Sequence, residues 1–164
     1  MFSESGENIA CRLTSTGGSK SCIGVDGRVV AYGASRDGRW SLVVGDRSTP
    51  IDRAPSFVFL SSDGRSVGYC RLEPDGDGGS RVRVVVDGTA GEPYDLVGLP
   101  VFSPDGTKVT YAADEGEKQY VVVGTARIEV RGRVGDPVFS PDGRQVGYGA
   151  RLGREIWWKV LDAP

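Results

Sequence analysis

The sequence contains no histidine. That excludes Ser-His-Asp and Cys-His nucleophile systems, histidine general bases and histidine-ligated zinc or iron. Carboxylates, cysteines, tyrosines and lysines remain. The run Glu73-Pro74-Asp75-Gly76-Asp77-Gly78-Gly79 alternates carboxylates with glycines, and Asp75 and Asp77 could wrap a hard cation such as Ca²⁺. It lacks the terminal bidentate Glu of an EF-hand loop, so a solvated hairpin tip is the better account. Its glycines precede a strand rather than a helix, so they are no phosphate loop. Cys11, Cys22 and Cys70 form no C-x-x-C pair. An odd, sparse set reads as small hydrophobes in a reducing compartment, with Cys70 buried and inert beside Tyr69. No cofactor is expected.

The elements that must position these residues announce themselves as a repeat. Asp26-Gly27, Asp63-Gly64, Asp105-Gly106 and Asp142-Gly143 are each followed at fixed offsets by a valine (Val30, Val67, Val109, Val146) and a tyrosine (Tyr32, Tyr69, Tyr111, Tyr148). The aspartates lie 37, 42 and 37 residues apart. Such a period means one supersecondary unit stacked on copies of itself. The Asp-Gly pairs could be imagined as a ring of four carboxylates, but turn formation explains both residues better. The tyrosines should pack between neighbouring sheets rather than hold a ligand.

In the third copy, Pro100-Val101-Phe102-Ser103 enters a type I turn at Ser103-Pro104-Asp105-Gly106, with Gly in the left-handed position. Val109-Thr110-Tyr111-Ala112 then alternates as a half-buried strand, Tyr120-Val121-Val122-Val123 is a β-branched third strand, and Ile128 and Val130 mark a more exposed fourth. The order is an antiparallel meander, strands A to D. Ile23, Leu60, Phe102 and Phe139 share one position of strand A, and Trp40, Tyr120 and Trp157 open strand C. No segment keeps helical periodicity over ten residues, so the expected class is all-β.

The ends are out of phase. The last copy has strand B (145–150) and strand C (155–161) but no strand D, while a spare strand with Ile9, Cys11 and Leu13 alternating precedes the first copy. The expectation is a β-propeller of four four-stranded antiparallel blades per chain, one domain over 1–164. Blade 1 spans 20–54, blade 2 spans 56–98 and blade 3 spans 100–132. Blade 4 spans 137–161 and is closed by the N-terminal strand 8–14, which removes an open edge. On this reading the chain is a complete propeller.

The runs Val-Phe-Ser-Pro-Asp-Gly-Thr-Lys-Val-Thr-Tyr-Ala (101–112) and Val-Phe-Ser-Pro-Asp-Gly-Arg-Gln-Val-Gly-Tyr-Gly-Ala (138–150) resemble the WD-repeat-like blade of the periplasmic Tol-system propeller family. Similar blades occur in the propeller domains of prolyl-oligopeptidase-type and tricorn-type peptidases. The resemblance covers nearly the whole chain, more closely in the last two copies, and it implies architecture rather than activity. Such families usually carry six to eight blades. Four leave two arrangements open: one chain closing on itself, favoured by the short linker 15–19, or a homodimer sharing terminal strands in an eight-bladed ring.

Charge sets further bounds. Twenty Lys plus Arg against 22 Asp plus Glu give no field that would select nucleic acid or an anionic membrane. No apolar run approaches a membrane span, and the first residues lack the basic and apolar regions of a secretory signal. A cytoplasmic setting is expected, or a periplasmic one if a leader was removed. The meander puts the B–C turns and D–A connections together at one end, where sequence varies most. Arg36, Asp37, Arg53, Glu73, Asp114, Glu115, Arg133, Arg151 and Arg154 fall there, acidic in blades two and three and basic in blades four and one. Variable, charged loops over a regular scaffold suit binding of another protein. A non-catalytic interaction or assembly scaffold is therefore expected, and not an enzyme. The alternative is a substrate-gating or carboxylate-based propeller enzyme, or a fragment of a larger one.

Overall fold

The computed structural model describes residues 21–23 and 29–164. The first sheet is β1 (Ser21–Ile23), β2 (Val30–Arg36), β3 (Arg39–Val44) and β4 (Arg47–Ile51), paired in that order. The second is β5 (Pro55–Leu60), β6 (Val67–Pro74), β7 (Ser80–Val86) and β8 (Thr89–Tyr94). In the third, β9 (Leu96–Val97) and β10 (Val101–Phe102) both pair β11 (Val109–Glu115), followed by β12 (Lys118–Val123) and β13 (Ala126–Val130). In the last, β14 (Arg133–Val134) and β15 (Val138–Phe139) pair β16 (Gln145–Leu152), which pairs β17 (Glu155–Asp162). All the pairings are antiparallel, as the meander requires. Among the described residues the chain is all-β, and no helix is long and apolar enough to cross a membrane.

Three apolar layers hold neighbouring sheets together. Ala31 and Leu42 meet Val58, Tyr69 and Val85 between the first and second sheets. Phe59, Cys70 and Val84 meet Val109, Tyr111 and Val122 between the second and third. Val121, Val123 and Val130 meet Val146, Tyr148 and Ala150 between the third and last. Strand side chains alternate, so each inner sheet feeds one layer with its odd set and the next with its even set. The repeat tyrosines Tyr69, Tyr111 and Tyr148 are buried in these layers, each against the preceding sheet. Two glycines make room for an aromatic ring from the neighbouring strand of their own sheet: a Cβ on Gly68 would sit 2.1 Å from the Phe59 ring, and one on Gly147 2.9 Å from Trp158.

The inner strands run further back than their predicted starts, to Pro55, Leu96 and Arg133. Each slips register by one residue on the way: between Pro55 and Phe57, between β9 and β10, and between β14 and β15. Such bulges bend a strand and raise its twist. One sequence equivalence is off by a place. Tyr120 lies opposite Ala113 and Trp157 opposite Ala150, but Trp40 lies opposite Ser35, so it shares a face with Leu42 and points to the other side of its sheet.

The expected closing strand, 8–14, lies outside the described residues, as do Cys11 and the Asp26-Gly27 turn. Among the described residues β17 pairs on one edge only, and no sheet closes the row into a ring.

Candidate recognition face and the turns opposite it

The two ends of the sheets are built differently. At the A–B end, three turns repeat one hydrogen-bond lock. Ser103 Oγ donates to Asp105 Oδ1 at 2.6 Å, and the Lys108 amide donates back to Ser103 Oγ at 2.9 Å. The Thr107 amide donates to Asp105 Oδ1 at 3.1 Å, and the Gly106 amide to the Ser103 carbonyl at 2.8 Å. Ser61 with Asp63 and Ser140 with Asp142 repeat the geometry. Gly106 has φ +72°, which only glycine adopts without strain, and a Cβ there would lie 3.1 Å from that of Ser61 in the neighbouring turn. The turns therefore stack on one another, and Ser62 Oγ donates to the Pro104 carbonyl at 3.2 Å. The serine hydroxyl, then the loop amide, hold Asp63 and Asp142 below the usual carboxylate range and Asp105 at about 2. These aspartates are turn formers, and the serine two places earlier is the partner that a reading of Asp-Gly alone overlooks.

The B–C end carries the expected recognition residues. Arg36 and Asp37 sit at an exposed two-residue turn where Asp37 and Gly38 both have positive φ (52° and 75°), a type I′ hairpin. Arg53 is exposed between β4 and β5. Glu73 lies on β6, and Asp114 and Glu115 lie on β11, so they are strand residues rather than loop tips. Arg133 is on β14, Arg151 on β16 and Arg154 in the turn between β16 and β17.

The carboxylates on this list are largely committed. Arg71 reaches Glu73 at 2.7 Å and Asp52, in the preceding sheet, at 2.6 Å, while Arg83 Nε donates to Glu73 Oε2 at 2.8 Å. Burial works against the Glu73 charge, but Arg83 and Arg71 outweigh it and hold the carboxyl low. Glu115 is gripped by Arg127 at 2.5 Å and by Arg81, from the second sheet, at 3.2 Å, which likewise lowers its pKa. Arg81 Nε lies 3.2 Å from Asp95 Oδ1, yet its N–H finds no acceptor in line. These pairs stitch the first three sheets to one another.

The arginines of the other half have no carboxylate partner among the described residues, although Arg151 Nε donates to the Gly153 carbonyl at 3.0 Å. Among the described residues Arg36, Arg53, Arg133, Arg151 and Arg154 form no ion pair. Arg133 lies directly opposite Arg151 across the β14–β16 ladder, both exposed, a like-charge pair that costs stability where it stands alone. Exposed Leu96, Leu99 and Leu152 lie at the same end. At the Asp75–Asp77 hairpin tip, Asp75 Oδ1 accepts the Asp77 amide at 3.0 Å and the Gly79 amide at 2.8 Å, so it caps its own loop. Among the described residues no group of three potential ligands could hold a metal ion.

A cleft of about 420 Å³ that the sequence did not reveal opens between the second and third sheets, lined by Thr89, Gly91, Tyr94, Lys108, Tyr111 and Arg127. Arg127 in its lining stacks 4.2 Å from the Tyr120 ring centre and 5.3 Å from that of Tyr94. Only the contacts across two sheets assemble it. Burial pushes the Cys70 thiol up to about 12, which makes it inert at neutral pH.

No family model matches this chain, and no curated protein does. Solved structures do. An acylaminoacyl peptidase aligns over 88% of this chain and 30% of its own, at 11% identity and TM-score 0.56. The β-propeller domain of the trilobed protease from Pyrococcus furiosus, described as having an open velcro topology, aligns over 89% of this chain and 51% of its own, at 11% identity and TM-score 0.53. TolB from Acinetobacter baumannii aligns over 86% and 39%, at 16% identity and TM-score 0.47. The chain thus spans between 30% and 51% of these proteins. Its fold is propeller-like: a row of antiparallel meander sheets packed face to face.

Proposed function

We propose that this chain is a non-catalytic protein-interaction scaffold that binds an acidic segment of a partner at the B–C/D–A end of its last sheet. The observation that carries the reading is the unpaired Arg133–Arg151 couple, flanked by Arg154 and by exposed Leu152. A retained repulsion between like charges is relieved when a carboxylate from elsewhere sits between them, and neighbouring apolar surface adds contact area. Arg36 and Arg53 extend the basic surface on the first sheet. The fold supports a scaffold as much as an enzyme, and function must come from the site. Glu73 and Glu115 are neutralised by arginines and the Cys70 thiol is buried, which leaves these groups unsuited to acid–base or nucleophilic work. The four meanders are read as WD-like blades, with residues 8–14 supplying the outer strand of the last. A reducing, cytoplasmic setting suits the buried free thiol.

The test is quantitative capture from an extract of the source cells on the wild-type chain beside Arg151→Glu/Arg154→Glu. A protein retained by the wild type should then titrate at least roughly tenfold more weakly against the variant, and more weakly in high salt. Equal affinity for both forms would remove this face from the function.

A further inference from the structure

The last sheet ends in an open apolar face. Trp158 lies opposite Gly149 in the β16–β17 ladder, the place that Leu42, Val84 and Val121 fill opposite Gly33, Cys70 and Ala112 in the first three sheets. Those three are 6%, 2% and 0% exposed because the next sheet covers them, whereas Trp158 is 64% exposed. Val160 repeats the pattern: its counterpart Val123 is buried at 2%, but Val160 is 50% exposed, and Ile156 beside it is 80% exposed. The Trp158 indole lies over Gly147, where a Cβ would come within 2.9 Å of it, and beside Gly149. By the register of the repeat, this is a surface made to receive another sheet.

The other end of the row carries the complementary surface. Tyr69, Tyr111 and Tyr148 each pack against the preceding sheet. Tyr32 holds the same place opposite Val43 in the first sheet, only half-buried, with Val30 exposed nearby. Among the described residues no sheet closes onto it. The row matches 89% of its own length to 51% of a propeller domain, so four sheets fill about half of such a circuit.

We infer that a second copy of this chain seats the Tyr32–Val43 face of its first sheet on the Trp158–Val160 face of this one. The reciprocal contact at the other end closes an eight-sheet, two-fold ring. Each junction repeats the three sheet–sheet layers already inside the chain, so no new packing chemistry is needed, and reciprocal closure stops the head-to-tail contact from running on as a filament. The inference shares the blade reading with the proposed function but not its binding face, so either can fail alone.

The experiment is light scattering on the 164-residue chain between about 1 and 100 μM, the range of ordinary non-obligate interfaces. It is paired with maleimide labelling of Trp158→Cys. The expected mass is twice 17.4 kDa, falling to 17.4 kDa in Trp158→Glu and in Val160→Lys, each checked for an unchanged β-sheet circular dichroism spectrum. Labelling at position 158 should be slow in the dimer and fast after dilution. A mass of 17.4 kDa with rapid labelling overturns the proposal. So does that mass with slow labelling, which would mean the chain's own first sheet covers the face. A mass that grows without limit, or a dimer indifferent to both substitutions, overturns it too.

Discussion

The A–B end and the B–C end of the sheets solve opposite problems with similar residues. At the A–B end a serine, an aspartate and a glycine repeat one lock at residues 61–66, 103–108 and 140–145, and the locked turns stack on each other. At the B–C end the turns vary, with only Gly116-Glu117 and Gly153-Arg154 alike (φ +60° and +61° at the glycine). Asp37-Gly38 makes a type I′ hairpin, Asp75 caps a longer loop, and arginines pair with carboxylates in the second and third sheets but face one another in the last. Carboxylates bonded by hydroxyls and amides build the fold. Guanidinium groups left without a counter-ion are free to bind something else.

Removing the lock should do the most damage. Ser103→Ala removes the buried hydroxyl that the Lys108 amide donates to, leaving the exposed Asp105 carboxylate to water, and should cost about 1–3 kcal/mol in urea denaturation, the range for losing one partner of a buried hydrogen bond. No loss would mean that the turn is held by its glycine and proline alone.

The same lock sets an acid limit. The folded pKa values of Asp63, Asp105 and Asp142 lie below their unfolded ones. Their contribution is therefore complete above the ordinary carboxylate range, about pH 4. It is lost as pH falls toward about 2, the value for Asp105. Urea midpoints measured across that window should drop in the wild type and slope less in a triple Asp→Asn variant. Parallel slopes would move the acid sensitivity to the other end.

Changes at the B–C end should cost less. Glu115→Gln loosens Arg81 and Arg127, partly exposed groups, and should lower stability by up to about 1 kcal/mol. Arg151→Glu/Arg154→Glu should shift stability by no more than about 0.5 kcal/mol, as exposed substitutions do, or raise it slightly by relieving Arg133. A large loss there would turn the proposed binding residues into structural ones and erase the contrast between the two ends.

The sequence discloses the regular end better than the irregular one, for a physical reason. Turn chemistry is local: Asp105-Gly106 needs only its neighbours within five residues, so the repeat shows at once, and Tyr111 and Tyr148 reveal the layers because alternation is local too. Ser103 was in plain view as well, but its role depends on reaching back to Lys108, which the Asp-Gly pattern does not signal. The partners of Glu73 and Glu115 were hidden because Arg83, Arg81 and Arg127 reach them across strands and sheets. The register slips that place Leu96–Val97 in the third sheet leave no mark on hydrophobic periodicity. Trp40 does not align with Tyr120 and Trp157 because it is the second residue after its two-residue turn and they are the third after theirs, and one place in a strand means the opposite face.

The most direct test of the division between the two ends is hydrogen–deuterium exchange, read on the chain alone and with the protein that the wild type retains. Residues 61–66, 103–108 and 140–145 should be protected equally in both states. New protection should appear at 133–136 and 151–155. Protection gained at the Ser-Asp-Gly turns, with 133–136 and 151–155 unchanged, would contradict the account.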